Sequence, residues 1–271
     1  MDTIIIAIVS VTIIGIVCAA ILSTASKVMH VAVDERISNI RELLPGVNCG
    51  ACGYPGCSGL AAALVADPTI KISICPPLQS KEAEEISAIL GVEVVAIENK
   101  VAIVSCMGNN TVQKKKFDYK GVQTCDGSAM IFGGEGACSF GCLGYGDCLL
   151  ACPMGAICME DGLARINTQL CTGCGLCLKT CPKHLISLIS SETSVYVACK
   201  NTEKGAVIRK KCSAVCIACR KCARECPDQA IVVENNLAII DYEKCKGCGH
   251  CAEICVAKCI HLTGVKQPEL P

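Results

Sequence analysis

Cysteine is the residue type in this sequence whose number and spacing could do chemistry. There are 27 cysteines among 271 residues, an odd number, and most stand in runs with two residues between neighbours. Such short spacings do not suit a network of long-range disulfides, whereas they place several thiolates around one metal centre. The cysteine pattern therefore indicates metal or iron–sulfur ligation in a reducing compartment.

Three of the runs follow the ferredoxin pattern Cys-x2-Cys-x2-Cys-x3-Cys. This pattern predicts [4Fe–4S] clusters, and in two-cluster ferredoxins the fourth cysteine of each run binds the other cluster of the pair. Two runs continue into proline, whereas the third has Val256 at that position. The runs are Cys171, Cys174, Cys177 and Cys181; Cys216, Cys219, Cys222 and Cys226; and Cys245, Cys248, Cys251 and Cys255.

A fourth, incomplete run precedes them and has Tyr145 where one ligand is missing. It contains Cys142, Cys148 and Cys152. Adding 74 to the residue numbers of this run and of the next reproduces the last two runs, so the sequence predicts two tandem ferredoxin modules. Cys138 is predicted to supply the missing ligand, and a three-iron cluster is the alternative.

The crossed ligation predicts four cysteine sets in the two modules. They are Cys138, Cys142, Cys148 and Cys181; Cys152, Cys171, Cys174 and Cys177; Cys216, Cys219, Cys222 and Cys255; and Cys226, Cys245, Cys248 and Cys251.

A further set of four cysteines lies nearer the N-terminus. Cys49, Cys52 and Cys57 stand on a glycine-rich loop, and Cys75 returns from the next loop. Helices are predicted around them, over residues 34–44, 59–66 and 80–90. Glycine lets backbone N–H groups approach sulfur, so the set predicts another cluster, with a structural zinc ion as the alternative.

Seven cysteines remain: Cys18, Cys106, Cys125, Cys158, Cys199, Cys212 and Cys259. Residues 104–106 resemble residues 197–199, which predicts a sixth site, a cluster or zinc, formed by Cys106, Cys125, Cys199 and Cys212. The 74-residue repeat favours Cys125, Cys138, Cys199 and Cys212 instead. The first set is preferred because it leaves Cys138 for the first module. The other three are predicted to be spare apolar thiols.

The N-terminal segment is predicted to anchor the chain in a membrane. Residues 3–26 carry no charge. As a helix they would measure about 36 Å, enough to cross a hydrocarbon core of about 30 Å. No basic residue precedes Lys27, and Arg36 and Arg41 follow it. The positive-inside rule therefore predicts a single-pass plasma-membrane protein with its N-terminus outside and the bulk of the chain cytoplasmic.

Composition limits the remaining choices. Tryptophan is absent, there are three Phe and five Tyr, and the net charge is zero, which excludes a strongly basic nucleic-acid binder. The predicted class is α+β. The predicted divisions are an anchor (1–28), an N-terminal [4Fe–4S] domain (29–95), a connecting segment (96–128), ferredoxin module 1 (129–190), a second connecting segment (191–211) and ferredoxin module 2 (212–271).

The segment from Leu43 to Cys57, Leu-Leu-Pro-Gly-Val-Asn-Cys-Gly-Ala-Cys-Gly-Tyr-Pro-Gly-Cys, resembles the B subunit of the Rnf electron-transport complex. The resemblance covers essentially the whole chain. It implies a membrane oxidoreductase that moves electrons between ferredoxin and NAD while translocating Na⁺ or H⁺, and it implies that electrons enter through the B subunit. The implied partners are soluble ferredoxin and the other subunits of the complex, including one that binds NAD and flavin.

Five [4Fe–4S] clusters are expected, and six if the additional site holds one. No catalytic residue for bond making is predicted, because such clusters relay single electrons. Two alternatives remain open. One is a polyferredoxin subunit of another membrane reductase or hydrogenase, and the other is a zinc-stabilised scaffold without redox chemistry.

Overall fold

The computed structural model of the chain describes residues 2–28, 34–93 and 98–263. They form a long N-terminal helix, a small helical domain, and a region of short helices and paired strands. This mixture of helix and strand, with an apolar helix at the start, confirms the broad prediction of the fold class. The predicted boundary between residues 95 and 96, and the chain from residue 264, lie outside the described residues.

The first helix, α1 (Asp2–Val28), contains a stretch that could cross a membrane. Over Ile8–Ala25 the mean hydropathy is 2.4, and none of this stretch is buried inside the protein. The hydroxyls of Thr12 and Thr24 are satisfied within the helix, donating to the carbonyls of Ile8 and Ala20 over 2.9 Å each. In the described part of the chain this is the one helix long and apolar enough for such a span.

The helical domain that follows packs three helices around an aliphatic core. Its helices are α2 (Glu35–Leu43), α3 (Gly56–Ala66) and α4 (Ser80–Leu90). The carboxylate of Asp34 caps α2 by accepting the N–H of Arg36 over 2.9 Å, and Gly91 ends α4 in the left-handed region. The interior is filled by Ile40, Leu60, Leu64, Leu78 and Ile86.

Eight strands within residues 98–263 form four antiparallel pairs. The pairs are β1 (Lys100–Val104) with β4 (Ile186–Ser190), β2 (Ile157–Glu160) with β3 (Leu163–Ile166), β5 (Val195–Val197) with β8 (Ile260–Leu262), and β6 (Ile231–Glu234) with β7 (Leu237–Ile240). The hairpins β2–β3 and β6–β7 turn through two residues of positive φ, Asp161-Gly162 and Asn235-Asn236.

The pairing shows how the 74-residue repeat is built in space. The two hairpins are 74 residues apart, and so are β4 and β8, the last strands of the two modules. Strands β1 and β5 lie in stretches predicted as connecting segments, and each pairs with the last strand of the module that follows it. Each module thus gains a strand from the chain upstream of its first cysteine run.

Five of the six short helices within residues 98–263 have a cysteine at their first or second residue. They are α5 (Cys125–Met130), α6 (Asp147–Leu150), α7 (Leu176–Thr180), α8 (Gly205–Ile208), α9 (Lys221–Arg224) and α10 (His250–Glu253), of which α8 alone contains no cysteine. The first connecting segment also contacts the chain around the start of the second module through backbone hydrogen bonds. The N–H of Lys114 donates to the carbonyl of Lys211 over 2.9 Å, and that of Ser213 to Val112 over 3.2 Å.

Candidate metal centres

Site 1 consists of the four cysteines of the helical domain, and the structure brings them together as predicted. The loop before α3 turns through left-handed backbone, and at Gly56 (φ +80°) a side chain would collide with Asn48. The amide oxygen of Asn48 accepts the N–H of Cys57 over 2.9 Å. Burial, followed by the charges of neighbouring Cys52, Cys57 and Cys49, raises the pKa of Cys75 to about 12. Site 1 is Cys49, Cys52, Cys57 and Cys75.

Site 2 lies in the first module and has the predicted crossed composition. Burial raises the pKa of Cys177 to about 12, and the next largest causes are Cys171, Cys174 and Cys152. The added strand β1 reaches this set, because the N–H of Ala102 donates to the Sγ of Cys171 over 3.3 Å. Site 2 is Cys152, Cys171, Cys174 and Cys177.

Sites 3 and 4 in the second module also group as the crossed pattern predicts. Cys222 and Cys251 are at their centres, and burial raises the pKa of each thiol to about 11. The other three members of each set are the cysteines whose charges contribute to this raised pKa. Site 3 is Cys216, Cys219, Cys222 and Cys255, around a cavity of about 360 Å³, and site 4 is Cys226, Cys245, Cys248 and Cys251.

The fourth cysteine of every run receives an N–H···S hydrogen bond from the residue four positions later. Cys152, Cys226 and Cys255 accept these bonds over 3.4 Å, and Cys181 over 3.5 Å. Such donors stabilise a thiolate and adjust the potential of a cluster bound to it. The same contact is present in all four runs, so the chain takes the same local conformation after each fourth cysteine.

Site 5 completes the first module with a cysteine that was predicted to lie elsewhere. A cavity of about 400 Å³ is lined by Cys125, Cys142, Cys148 and Cys181. Burial is the largest cause that raises the pKa of Cys148 to about 12, and the charges of Cys142, Cys125 and Cys181 are the next largest. The structure thus places Cys125, and not the expected Cys138, beside the three cysteines of the incomplete motif.

A carboxylate explains the position of Cys125. Both oxygens of Asp147 accept the backbone N–H of Cys125 over 3.0 Å, which joins the start of α5 to the start of α6. Cys148, the next residue on α6, is therefore held close to Cys125. Tyr145, at the position of the missing ligand, packs its ring edge-on against Tyr119 with 5.9 Å between centroids.

Site 6 lies between the modules. Its cavity of about 290 Å³ is lined by Cys106, Cys138, Cys199 and Cys212, each buried. Three of these belong to the predicted sixth site, but Cys138 stands where Cys125 was expected. The buried side chain of Asn201 donates Nδ2–H to the Sγ of Cys138 over 3.3 Å. The N–H groups of Gly108 and Cys142 donate to Cys106 over 3.3 and 3.4 Å.

Two equivalences in the chain explain site 6. Cys106 and Cys199 each stand two residues after an added strand, β1 or β5. Cys138 and Cys212 each stand four residues before the first cysteine of a module. Each module therefore contributes one cysteine of each kind. Each equivalence has a trace in the sequence, but the pairing of the added strands decides that the two combine into this set.

Three cysteines lie outside the six sets. Cys18 is exposed on α1, Cys158 is half-buried on β2, and Cys259 is buried. The thiol of Cys259 is 3.6 Å from the Sγ of Cys255 and also hydrogen-bonds to Cys216. With its one hydrogen shared between the two sulfurs, the thiol of Cys259 lowers the pKa of Cys255 to about 5 and that of Cys216 to about 6, while its own pKa is raised.

The donor sets suit iron–sulfur clusters, in which each iron takes one cysteine. Thiolates grouped around cavities, with N–H donors aimed at them, are the arrangement that a cluster requires.

Comparison with known families agrees with this chemistry. A family model described as "Putative Fe-S cluster" matches residues 44–77, which contain site 1. A model described as "4Fe-4S binding domain" matches residues 163–186, which contain the first complete cysteine run. The chain is therefore an iron–sulfur protein with ferredoxin-type 4Fe–4S domains.

Three curated relatives, all named as B subunits of ion-translocating oxidoreductase complexes, are each 38% identical to the chain. That of the Na(+)-translocating ferredoxin:NAD(+) oxidoreductase complex of Acetobacterium woodii aligns over 91% of this chain and 74% of its own length. For that of the ion-translocating oxidoreductase complex of Methanosarcina acetivorans these shares are 92% and 94%. For that of the proton-translocating ferredoxin:NAD(+) oxidoreductase complex of Clostridium ljungdahlii they are 96% and 91%. The chain belongs to this family of B subunits of ion-translocating oxidoreductase complexes, which confirms the resemblance found in the sequence.

Proposed function

We propose that this chain is the electron-entry subunit of a membrane complex that couples ferredoxin:NAD oxidoreduction to ion translocation. The observation that carries the proposal is the gathering of 24 of the 27 cysteines into six sets of four in a chain of this family. The names of the relatives supply the coupled reaction. They differ in the translocated ion, so Na⁺ and H⁺ both remain candidates here.

Each of the six sites is proposed to hold one [4Fe–4S] cluster. When bound, a cluster takes up and releases single electrons. The cysteine thiolates hold it, and the amide donors and Asn201 place partial positive charge beside the sulfurs. Buried aliphatic residues exclude water from the sites; at site 5 they include Leu185, which lines the cavity. Site 6 links the two modules, because each contributes two of its cysteines.

Anaerobic metal analysis tests the number and kind of centres. Six [4Fe–4S] sites require about 24 iron atoms and about 24 acid-labile sulfides per chain, with visible absorption that dithionite bleaches. Five clusters would give about 20 of each and would remove site 6 from the proposal. Stoichiometric zinc without sulfide would instead establish the structural scaffold.

The surface beside site 5 is proposed as the docking place of reduced ferredoxin. Lys183 borders the site 5 cavity, and its pKa is lowered by burial and then by the nearby charge of Lys116. The ammonium of Lys116 donates to the carbonyl of Phe132 over 3.0 Å, and the Phe132 ring is 87% exposed. Two cations beside an exposed ring favour an acidic partner.

Charge reversal at Lys116 tests this surface. For Lys116→Glu we expect the KM for ferredoxin to rise on the order of tenfold, with weaker salt dependence and unchanged iron content, because steering of an acidic carrier is lost. Lys210→Glu, an equal charge change in the segment just before the second module, is the matched control and should leave KM unchanged. A larger effect at Lys210 would move the docking surface to the second module.

Helix α1 is proposed as the membrane anchor, with its N-terminus outside and the iron–sulfur domains in the cytoplasm. The support is the apolar span Ile8–Ala25 together with the basic residues that follow it. Protease added to the outer face of intact cells should then leave the domains uncut, and cleavage there would reverse the orientation. Co-purification with flavin-bearing, NAD-binding subunits would separate the proposed complex from a membrane hydrogenase.

A further inference from the structure

Cys259 is a buried thiol that belongs to none of the six sets, yet it touches one of them. Its side chain is 2% exposed and lines the cavity of site 3. The Sγ atom lies 3.6 Å from the Sγ of Cys255 and within hydrogen-bonding reach of Cys216. Both neighbours are members of site 3, so one additional sulfur faces two of its four ligands.

The direction of these contacts follows from the chemistry of the ligands. Cysteines that bind iron must be thiolates, which can only accept hydrogen bonds. The one available hydrogen is therefore on Cys259, which donates S–H towards Cys255 and Cys216. Cys259 belongs to the same buried apolar cluster as Val215 and Ile260.

The first module provides the matching position without a thiol. Leu185 stands 74 residues before Cys259 and is equally buried. Its backbone N–H donates to Cys181 over 3.5 Å, as that of Cys259 donates to Cys255 over 3.4 Å. The amide bond is thus common to both modules, and the S–H donor is found at site 3 and not at the equivalent site 5.

We propose that Cys259 is a positioning residue that raises the reduction potential of the cluster at site 3 by donating its single S–H, shared between the Sγ atoms of Cys255 and Cys216. Reduction adds negative charge to the cluster and its sulfurs, so a hydrogen-bond donor stabilises the reduced form more than the oxidised form. The inference rests on the proposed function, because it requires a cluster at site 3.

The test is an EPR-monitored redox titration of the full-length, cluster-loaded protein. Cys259→Leu installs the side chain of the first module, and we expect one cluster to shift to a lower potential at unchanged iron content. A tenfold change in the reduction equilibrium corresponds to about 59 mV for a one-electron couple. Cys259→Ser keeps a donor and should shift less. Cys158→Ala, which changes the half-buried spare thiol, should shift nothing.

The reciprocal variant keeps the inference testable if Cys259→Leu does not fold. Leu185→Cys places a thiol beside Cys181 and should raise the potential of the cluster at site 5. Unchanged potentials in both variants at full iron content would overturn the inference and leave the proposed function standing. A wild-type protein without iron and sulfide would overturn the proposed function itself.

Discussion

Replacing Cys125 by alanine is expected to damage one cluster of the first module and leave the other five intact. Site 5 would keep Cys142, Cys148 and Cys181, which can hold a three-iron cluster. The iron content should fall by about one atom, or by about four if the cluster is lost entirely. In the oxidised protein, EPR should then show a three-iron signal that the wild type lacks.

Cys138→Ala is the matched comparison, because sequence spacing predicted Cys138 as the ligand at site 5. It should lose the cluster between the modules, since Cys138 lines the cavity of site 6. The buried amide of Asn201 would also lose its acceptor, which typically costs about 1–3 kcal/mol of stability. A three-iron signal in Cys138→Ala, and an intact spectrum in Cys125→Ala, would return Cys138 to the first module.

A rescue experiment separates the two assignments without relying on loss of signal. Tyr145 occupies the position equivalent to Cys219 of the second module, 74 residues later. Tyr145→Cys therefore restores the regular ferredoxin run and should return the lost iron in the Cys125→Ala background. The same substitution should not rescue Cys138→Ala. Rescue of Cys138→Ala alone would contradict the grouping seen in the structure.

The second large effect is expected at site 1. Replacing Cys49 and Cys52 together by alanine should reduce ferredoxin-dependent NAD reduction by the assembled complex to background. Ferredoxin should still reduce the clusters of the two modules, which have cores of their own, separate from that of the helical domain. Stopped-flow bleaching of the remaining clusters and steady-state NADH formation would measure the two steps separately.

The control for this experiment is Cys158→Ala, which removes a cysteine outside the six sets and should leave both steps unchanged. Site 1 is proposed as the exit because its domain directly follows the anchor helix in the chain. Wild-type rates of NADH formation in the double variant would exclude site 1 from the electron route. Loss of module reduction in the same variant would place it at the entry instead.

Much of the secondary structure around the centres could be predicted from local patterns. The helix predicted over residues 80–90 is α4, and that over 34–44 is α2 with one residue fewer at each end. The charge-free segment forms helix α1, as its length and apolar composition predicted. The strands β1 and β5 were missed as parts of the modules, since their partners β4 and β8 lie tens of residues later.

The sequence alone predicted the cysteine sets that the structure brings together at sites 1 to 4, because these cysteines stand in short runs whose spacing restricts the positions that the sulfurs can take. Distance along the chain favoured Cys138 for the incomplete run and Cys125 for the additional site, whereas the structure groups the two cysteines the other way round. Tertiary structure decided between them: Asp147 holds the start of α5 against Cys148, and the added strands bring Cys106 and Cys199 to Cys138 and Cys212. When a ligand lies outside the cysteine run, the hydrogen bonds of its backbone decide which site it joins. The spacing of the cysteines along the chain does not determine those hydrogen bonds.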